Sequence, residues 1–144
     1  MKNQNYENHT RSVPGFHYFL VPFCFITLIA SIIYAVISIL DGGAIFPSFL
    51  FMAFGLIVTI TLFFLRAFVC KVQDRAIRSE ENLRSFVLTG KLLDPHLTMN
   101  QIIALRFADD KAFPDLCQRA VTENMSPDAI KKSIYNWKAD YHRV

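Results

Sequence analysis

FHYFLVPFCFITLIASIIYAVISIL, residues 16–40, contains no Asp, Glu, Lys or Arg. It lies within a charge-free run of 29 residues between Arg11 and Asp41, and a second such run, of 24, separates Asp41 from Arg66. As a straight helix, residues 16–40 reach about 37 Å at 1.5 Å per residue, which exceeds the roughly 30 Å of bilayer hydrocarbon and leaves room for tilt. Eleven of the 14 Phe fall between Phe16 and Phe68, so the apolar bulk is concentrated in these two runs. Two buried core helices of a soluble protein are the competing reading. It fails because no amphipathic segments of comparable size remain to cover them. A cleaved signal peptide is a poor match as well. The apolar run is far longer than the 7–15 residues of an h-region, and no A-x-A pattern closes it. The expected fold class is therefore an all-α membrane protein built on a two-helix transmembrane hairpin.

The chain average, 53% hydrophobic and 19% charged over 144 residues, mixes these spans with a tail of ordinary soluble composition. Asp41-Gly42-Gly43 supplies a tight turn, and Pro47 suits the first turn of a second span over about 46–70. A link this short makes the spans antiparallel and puts both termini on one side. The loop carries no Lys or Arg. The flanks carry Lys2 and Arg11 before the first span, and Arg66, Lys71, Arg75, Arg78 and Arg84 at the end of the second. By the positive-inside rule both termini are cytoplasmic. The expected organisation is an N-terminal flank (1–15), the hairpin (16–70), a juxtamembrane amphipathic helix (71–90) and a cytoplasmic helical subdomain (91–144).

Val69, Val72, Ala76, Leu83 and Val87 recur near helical spacing among charged residues, so the second span is expected to continue as a helix to about Leu88, ended by Thr89-Gly90. Glu80 and Glu81 are spaced to pair with Arg84. A helical stalk with a solvated charged face accounts for this segment. A helix lying on anionic headgroups is the alternative, which its three acids disfavour. Three short helices are predicted beyond it. Thr98-Met99-Asn100-Gln101 is a capping box opening a helix through Ile102, Ile103, Leu105 and Phe107. Asp109-Asp110 precedes a helix with Pro114 in its first turn and Phe113, Leu116, Cys117, Ala120 and Val121 on one face. Ser126-Pro127 opens a helix carrying Ile130, Ile134 and Trp137.

Patterns that carry chemistry are scarce. Cys24, Cys70 and Cys117 are far apart, and none of the four His lies three to five residues from another His or from a Cys, so no metal pattern arises. No P-loop, G-x-G-x-x-G, G-x-S-x-G or H-E-x-x-H occurs. Neither span interior carries an ionisable Asp, Glu, Lys or Arg for an ion or proton relay, which argues against transport by a single chain. From Thr89 to Val144 eight basic residues face seven acidic ones, too balanced to bind nucleic acid. No enzyme activity, cofactor or metal is expected.

Two patterns invite a functional reading. Thr27, Ser31, Ala35 and Ser38 share one face of the first span, and Ser48, Met52, Gly55 and Thr59 one face of the second. Such stripes allow helices to approach closely in lipid, either within the hairpin or between chains. In the polar blocks, Gln73, Asp74, Arg75 and Arg78 are candidates for a network with Arg106 or with the Trp137–Tyr141 ending. That network would either lock the tail onto the stalk or form a docking surface.

Gln4-Asn5-Tyr6 with Asn8-His9, Lys71-Val72-Gln73-Asp74-Arg75, Gln101-Ile102-Ile103-Ala104-Leu105-Arg106-Phe107-Ala108 and the ending Asn136-Trp137-Lys138-Ala139-Asp140-Tyr141-His142-Arg143-Val144 together resemble a family of small bacterial membrane proteins known only as a domain of unknown function. The likeness covers nearly the whole chain. It implies a two-span bacterial inner-membrane protein with a helical cytoplasmic tail, and supplies no activity, cofactor or catalytic residue. The expected function is a non-enzymatic anchor presenting a cytoplasmic interaction or assembly module. The alternative is a self-assembling or accessory subunit of a transport system. Expected partners are the lipid bilayer and either a second copy or another membrane or cytosolic protein.

Overall fold

The structure, a computed structural model, describes residues 5–7 and 13–140. Among them are five α-helices, a π-helical segment and no strand: α1 (Val21–Leu40), α2 (Ile45–Thr89), α3 (Met99–Leu105), α4 (Phe113–Thr122) and α5 (Pro127–Lys132). The chain divides at Val69/Cys70 into two compact units, with residues 5–7 belonging to the second.

In the first unit the leading span is not a uniform α-helix from Phe16. Residues Gly15–Leu20 form a π-helical segment, and the Val21 N–H reaches back five residues to the Phe16 carbonyl. Pro22, in the first turn of α1, explains this. Proline donates no hydrogen bond and its ring crowds the carbonyl four residues back, so a wider turn immediately before it relieves the clash. Ahead of this turn, the Val13 N–H donates to His17 Nδ1 at 3.1 Å, which occupies the ring at the helix start.

α1 ends in a Schellman turn. Gly42 adopts φ +65°, and the Gly43 N–H donates to the Ser38 carbonyl at 2.8 Å. A side chain at position 42 would be strained there, which is why Asp41-Gly42-Gly43 works as the link to α2. The 26 residues Gly15–Leu40 and the 45 of Ile45–Thr89 are both long and apolar enough to cross a membrane, with windows of mean hydropathy 2.6 and 2.4. Only 17% of each window is buried. Large apolar side chains such as Ile26, Phe46 and Phe54 face outward, the reverse of a soluble core helix.

In the second unit, the last turns of α2 and the helices α3–α5 enclose one core. Leu97, Ile102, Leu105, Phe107, Phe113, Leu116, Ala120 and Ile130 are buried together with Ile77 of α2. The starts of α3 and α5 follow their capping residues. Thr98 and Gln101 form a reciprocal capping box on α3, and Ser126 Oγ accepts from the Ala129 N–H at the start of α5. Gly90 (φ +74°) closes α2, its N–H bonding to the Phe86 carbonyl at 2.8 Å. Asn124 (φ 46°) closes α4 in a Schellman motif through Met125 N–H to Ala120 O at 3.1 Å.

The later ends differ from expectation. α3 stops at Leu105, before Phe107, and α5 stops at Lys132, before Ile134 and Trp137. The chain beyond each helix is instead tied across the core, Ala108 and Trp137 forming an isolated antiparallel bridge. Tertiary pairing outweighs one further helical turn whose carbonyls would lack partners.

Candidate functional site

The two small-residue stripes line the seam between α1 and α2. Ala35, Ser38, Ser48 and Thr59 are buried, Ser31, Met52 and Gly55 are half-buried, and Thr27 is exposed. Adding Cys24 and Leu28, the covered positions of α1 run 24, 28, 31, 35, 38, and those of α2 run 48, 52, 55, 59, 62. Alternating steps of four and three form the 3.5-residue repeat of a left-handed helix pair. A Cβ built on Gly55 would stand 3.3 Å from Leu28 Cδ1 and 3.4 Å from Ser31 Oγ, so the two helices approach closely here.

The stripe hydroxyls do not bridge the helices. Thr27 Oγ1 donates to the Phe23 and Cys24 carbonyls, Ser31 Oγ to Leu28 O, Ser48 Oγ to Ala44 O and Thr59 Oγ1 to Gly55 O, at 2.6–3.0 Å. With their donors satisfied within their own helix, these residues contribute small size rather than interhelical bonds. Beside the seam, Thr27, Ser31, Tyr34, Phe51, Phe54, Gly55 and Val58 line an open groove of about 400 Å³, across which the Tyr34 and Phe51 rings meet edge-on at 6.3 Å.

The polar centre of the second unit is organised by Arg84. Its Nε donates to Asp110 Oδ1 at 2.8 Å, one terminal nitrogen to the Ala108 carbonyl at 2.6 Å and the other to Glu81 Oε2 at 3.1 Å. The guanidinium lies 4.2 Å from the centre of the Phe113 ring, a cation–π contact. Nearby, Arg106 pairs with Asp140 at 3.0 Å and lies 4.7 Å over Phe107. The final strand-like segment is held to the turn after α3. The Lys138 N–H donates to Phe107 O at 2.8 Å, the Trp137 and Phe107 rings are 5.0 Å apart, and Asn136 Nδ2 donates to Asp109 Oδ2 at 3.2 Å. Glu80, Glu81, Arg84, Arg106, Lys138, Ala139 and Asp140 surround a cleft of about 320 Å³.

Burial pushes the Glu81 carboxyl above its usual range, with the neighbouring Arg84 opposing the shift. The hydrogen bond from the Ala112 N–H, and then that from Asn136, hold Asp109 below the usual carboxylate range. Cys117, packed against the core, has its thiol pushed up to about 12 by burial, and so carries almost no thiolate near neutrality. Among the described residues no group of three or more His, Cys, Asp or Glu is placed to hold a metal ion.

Of the polar candidates, Arg106 and Trp137 are at this centre. Arg78 makes a long bond to the Leu97 carbonyl at 3.4 Å, Gln73 and Asp74 are half-buried, Arg75 is exposed, and Tyr141 lies outside the described residues. Arg84, spaced to pair with Glu80 or Glu81, pairs with Glu81, and Asp140 of the Trp137–Tyr141 ending pairs with Arg106. Glu81 and Ser85 follow Ile77 at four-residue steps, and that spacing was the available clue to the buried face of α2.

The rhythm Val72, Ala76, Leu83, Val87 runs along the opposite, exposed face: Val72 is 67% accessible, Leu83 65% and Val87 74%. α3–α5 thus cover the more polar side of α2. Ile77 joins their core, and Arg84 satisfies carbonyls that those short elements leave open.

These features define an all-helical protein with two apolar helices of membrane-crossing length and a separate small helical module. The chain belongs to the family of unknown function DUF6526, whose model matches residues 1–144. No curated protein and no solved structure matches it.

Proposed function

We propose that the protein is a two-span anchor of the bacterial inner membrane whose module, with both chain ends, faces the cytoplasm and serves protein–protein assembly rather than catalysis. The placement of charge carries this reading. The link between the spans holds no Lys or Arg, whereas Arg66 lies in the last turn of the second span and Lys71, Arg75 and Arg78 follow it directly. The outward-facing apolar side chains of both spans support a lipid surrounding.

A non-catalytic role is supported by the engagement of the polar centre. Arg84 donates to Glu81, to Asp110 and to a backbone carbonyl, and the raised Cys117 thiol makes a poor nucleophile. For Trp137, a role in locking the tail is favoured over direct docking by its ring contact with Phe107 and the backbone pairing with Ala108. A reporter fused after Val144 tests the orientation. Activity is expected from a reporter that works only in the cytoplasm, and activity from one that works only in the periplasm overturns it.

A further inference from the structure

The exposed face of α2 beyond the span has the pattern of a helix seam without a partner. Val72, Ala76, Ser79, Leu83 and Phe86 are spaced 4, 3, 4, 3, and all are exposed. They lie opposite Ile77, Glu81 and Ser85, the face that the module covers. In heptad terms Ala76 and Leu83 fall at a, and Val72, Ser79 and Phe86 at d. Arg75 is then a g residue and Glu80 the e residue of the following heptad. Both are exposed, and among the described residues neither makes an ion pair. A g residue and the e residue five positions later on the facing strand meet only when two helices run parallel and in register. Copies inserted with the same topology are parallel of necessity.

We infer that this face binds a second copy of the chain, forming a short parallel coiled coil through Val72, Ala76, Ser79, Leu83 and Phe86, with an Arg75–Glu80 ion pair on each side of the two-fold axis. Charge complementarity chooses this occupant over anionic headgroups, because Arg75 on one flank and Glu80 on the other pair with a second copy but give anionic headgroups no net attraction. The small Ala76 and Ser79 at the middle allow the backbones to approach, and the larger Val72, Leu83 and Phe86 close the ends.

The parallel register rests on the two-span reading, so the test separates the two. Ala76→Cys and Ser79→Cys are placed singly in the full-length chain with Cys24, Cys70 and Cys117 replaced by Ala, and oxidised in isolated membranes. Gln118→Cys, exposed on α4, serves as control. Covalent dimers are expected at 76 and 79 and not at 118. Arg75→Glu or Glu80→Arg alone should abolish the dimer band, and the two together should restore it. Membrane-retained protein without dimers at 76 and 79 overturns the pairing and leaves the anchor standing. Loss with Arg75→Glu that the double exchange does not restore overturns it in favour of headgroup contact. Release by alkaline carbonate overturns the two-span reading, and the parallel register with it.

Discussion

Arg84 is a long cation with its side chain only 10% accessible, held among a carboxylate at 11%, a more exposed Asp110 and two backbone carbonyls. Removing one member of such a group leaves the others desolvated and unpaired. Arg84→Ala is expected to destabilise the module by about 3 kcal/mol, the lower end of the range for breaking a buried pair, because Asp110 can turn to water. Thermal or denaturant unfolding of the full chain in detergent measures this. A loss near zero would show that the module does not depend on it. Glu81 has the opposite sign. Burial raises its folded pKa above the usual 4.5, so the unfolded chain releases this proton first as pH rises. The stability tied to the proton is complete below 4.5 and is lost as pH climbs through the raised value. Glu81→Gln, which mimics the neutral form, is therefore expected to be the more stable protein at pH 7, the gap closing below pH 4.5. In the Arg84→Ala background it should recover part of the loss. A wild type more stable than Glu81→Gln at pH 7 would contradict the assignment.

Among the elements, the α1–α2 pair depends on how closely two backbones approach. The 3.5-residue repeat of covered positions alternates small residues with Leu28, Met52 and Leu62, and the hydroxyls of Ser31, Ser48 and Thr59 bond within their own helix, so bulk at the seam is the sensitive variable. Gly55→Leu has no space beside Leu28 and Ser31, and it should separate the helices locally. Disulfide formation between cysteines introduced at Ser31 and Gly55's neighbour Met52 on the facing helix should fall in that background, with Gly55→Ala showing a smaller effect. Equal crosslinking in all three would place the contact elsewhere. The starts of α3 and α5 were legible because Thr98, Gln101 and Ser126 act on the next three residues alone. Their ends at Leu105 and Lys132 were not. They are set by the Ala108–Trp137 bridge, a pairing 29 positions apart in the chain. The same limit applies to α2. Its apolar rhythm was readable, but the module covers the face carrying Ile77, Glu81 and Arg84, and leaves Val72 and Leu83 exposed.

At the scale of the molecule, two units with different cores predict two responses to denaturant. The module's core is closed against water, whereas the large apolar side chains of the two long helices already face outward. Trp137 is the only Trp and belongs to the module, so its fluorescence reports that unit alone. In micelles, urea is expected to shift Trp137 emission while much of the far-UV helical signal survives. Coincident transitions would mean that the chain unfolds as one cooperative body.

The sequence by itself determined two charge-free segments of membrane-crossing length, the glycine-closed turn between them, the end of α2 at Thr89-Gly90 and three local helix starts. Each depends on hydropathy or on residues a few positions apart. Only the tertiary structure decided which side of α2 the module occupies, that Arg84 rather than Arg75 or Arg78 organises its polar centre, and that Trp137 lies in an extended segment paired with Ala108. These outcomes depend on which buried carbonyls and carboxylates remain to be satisfied once distant elements meet. A one-dimensional pattern contains no record of that requirement.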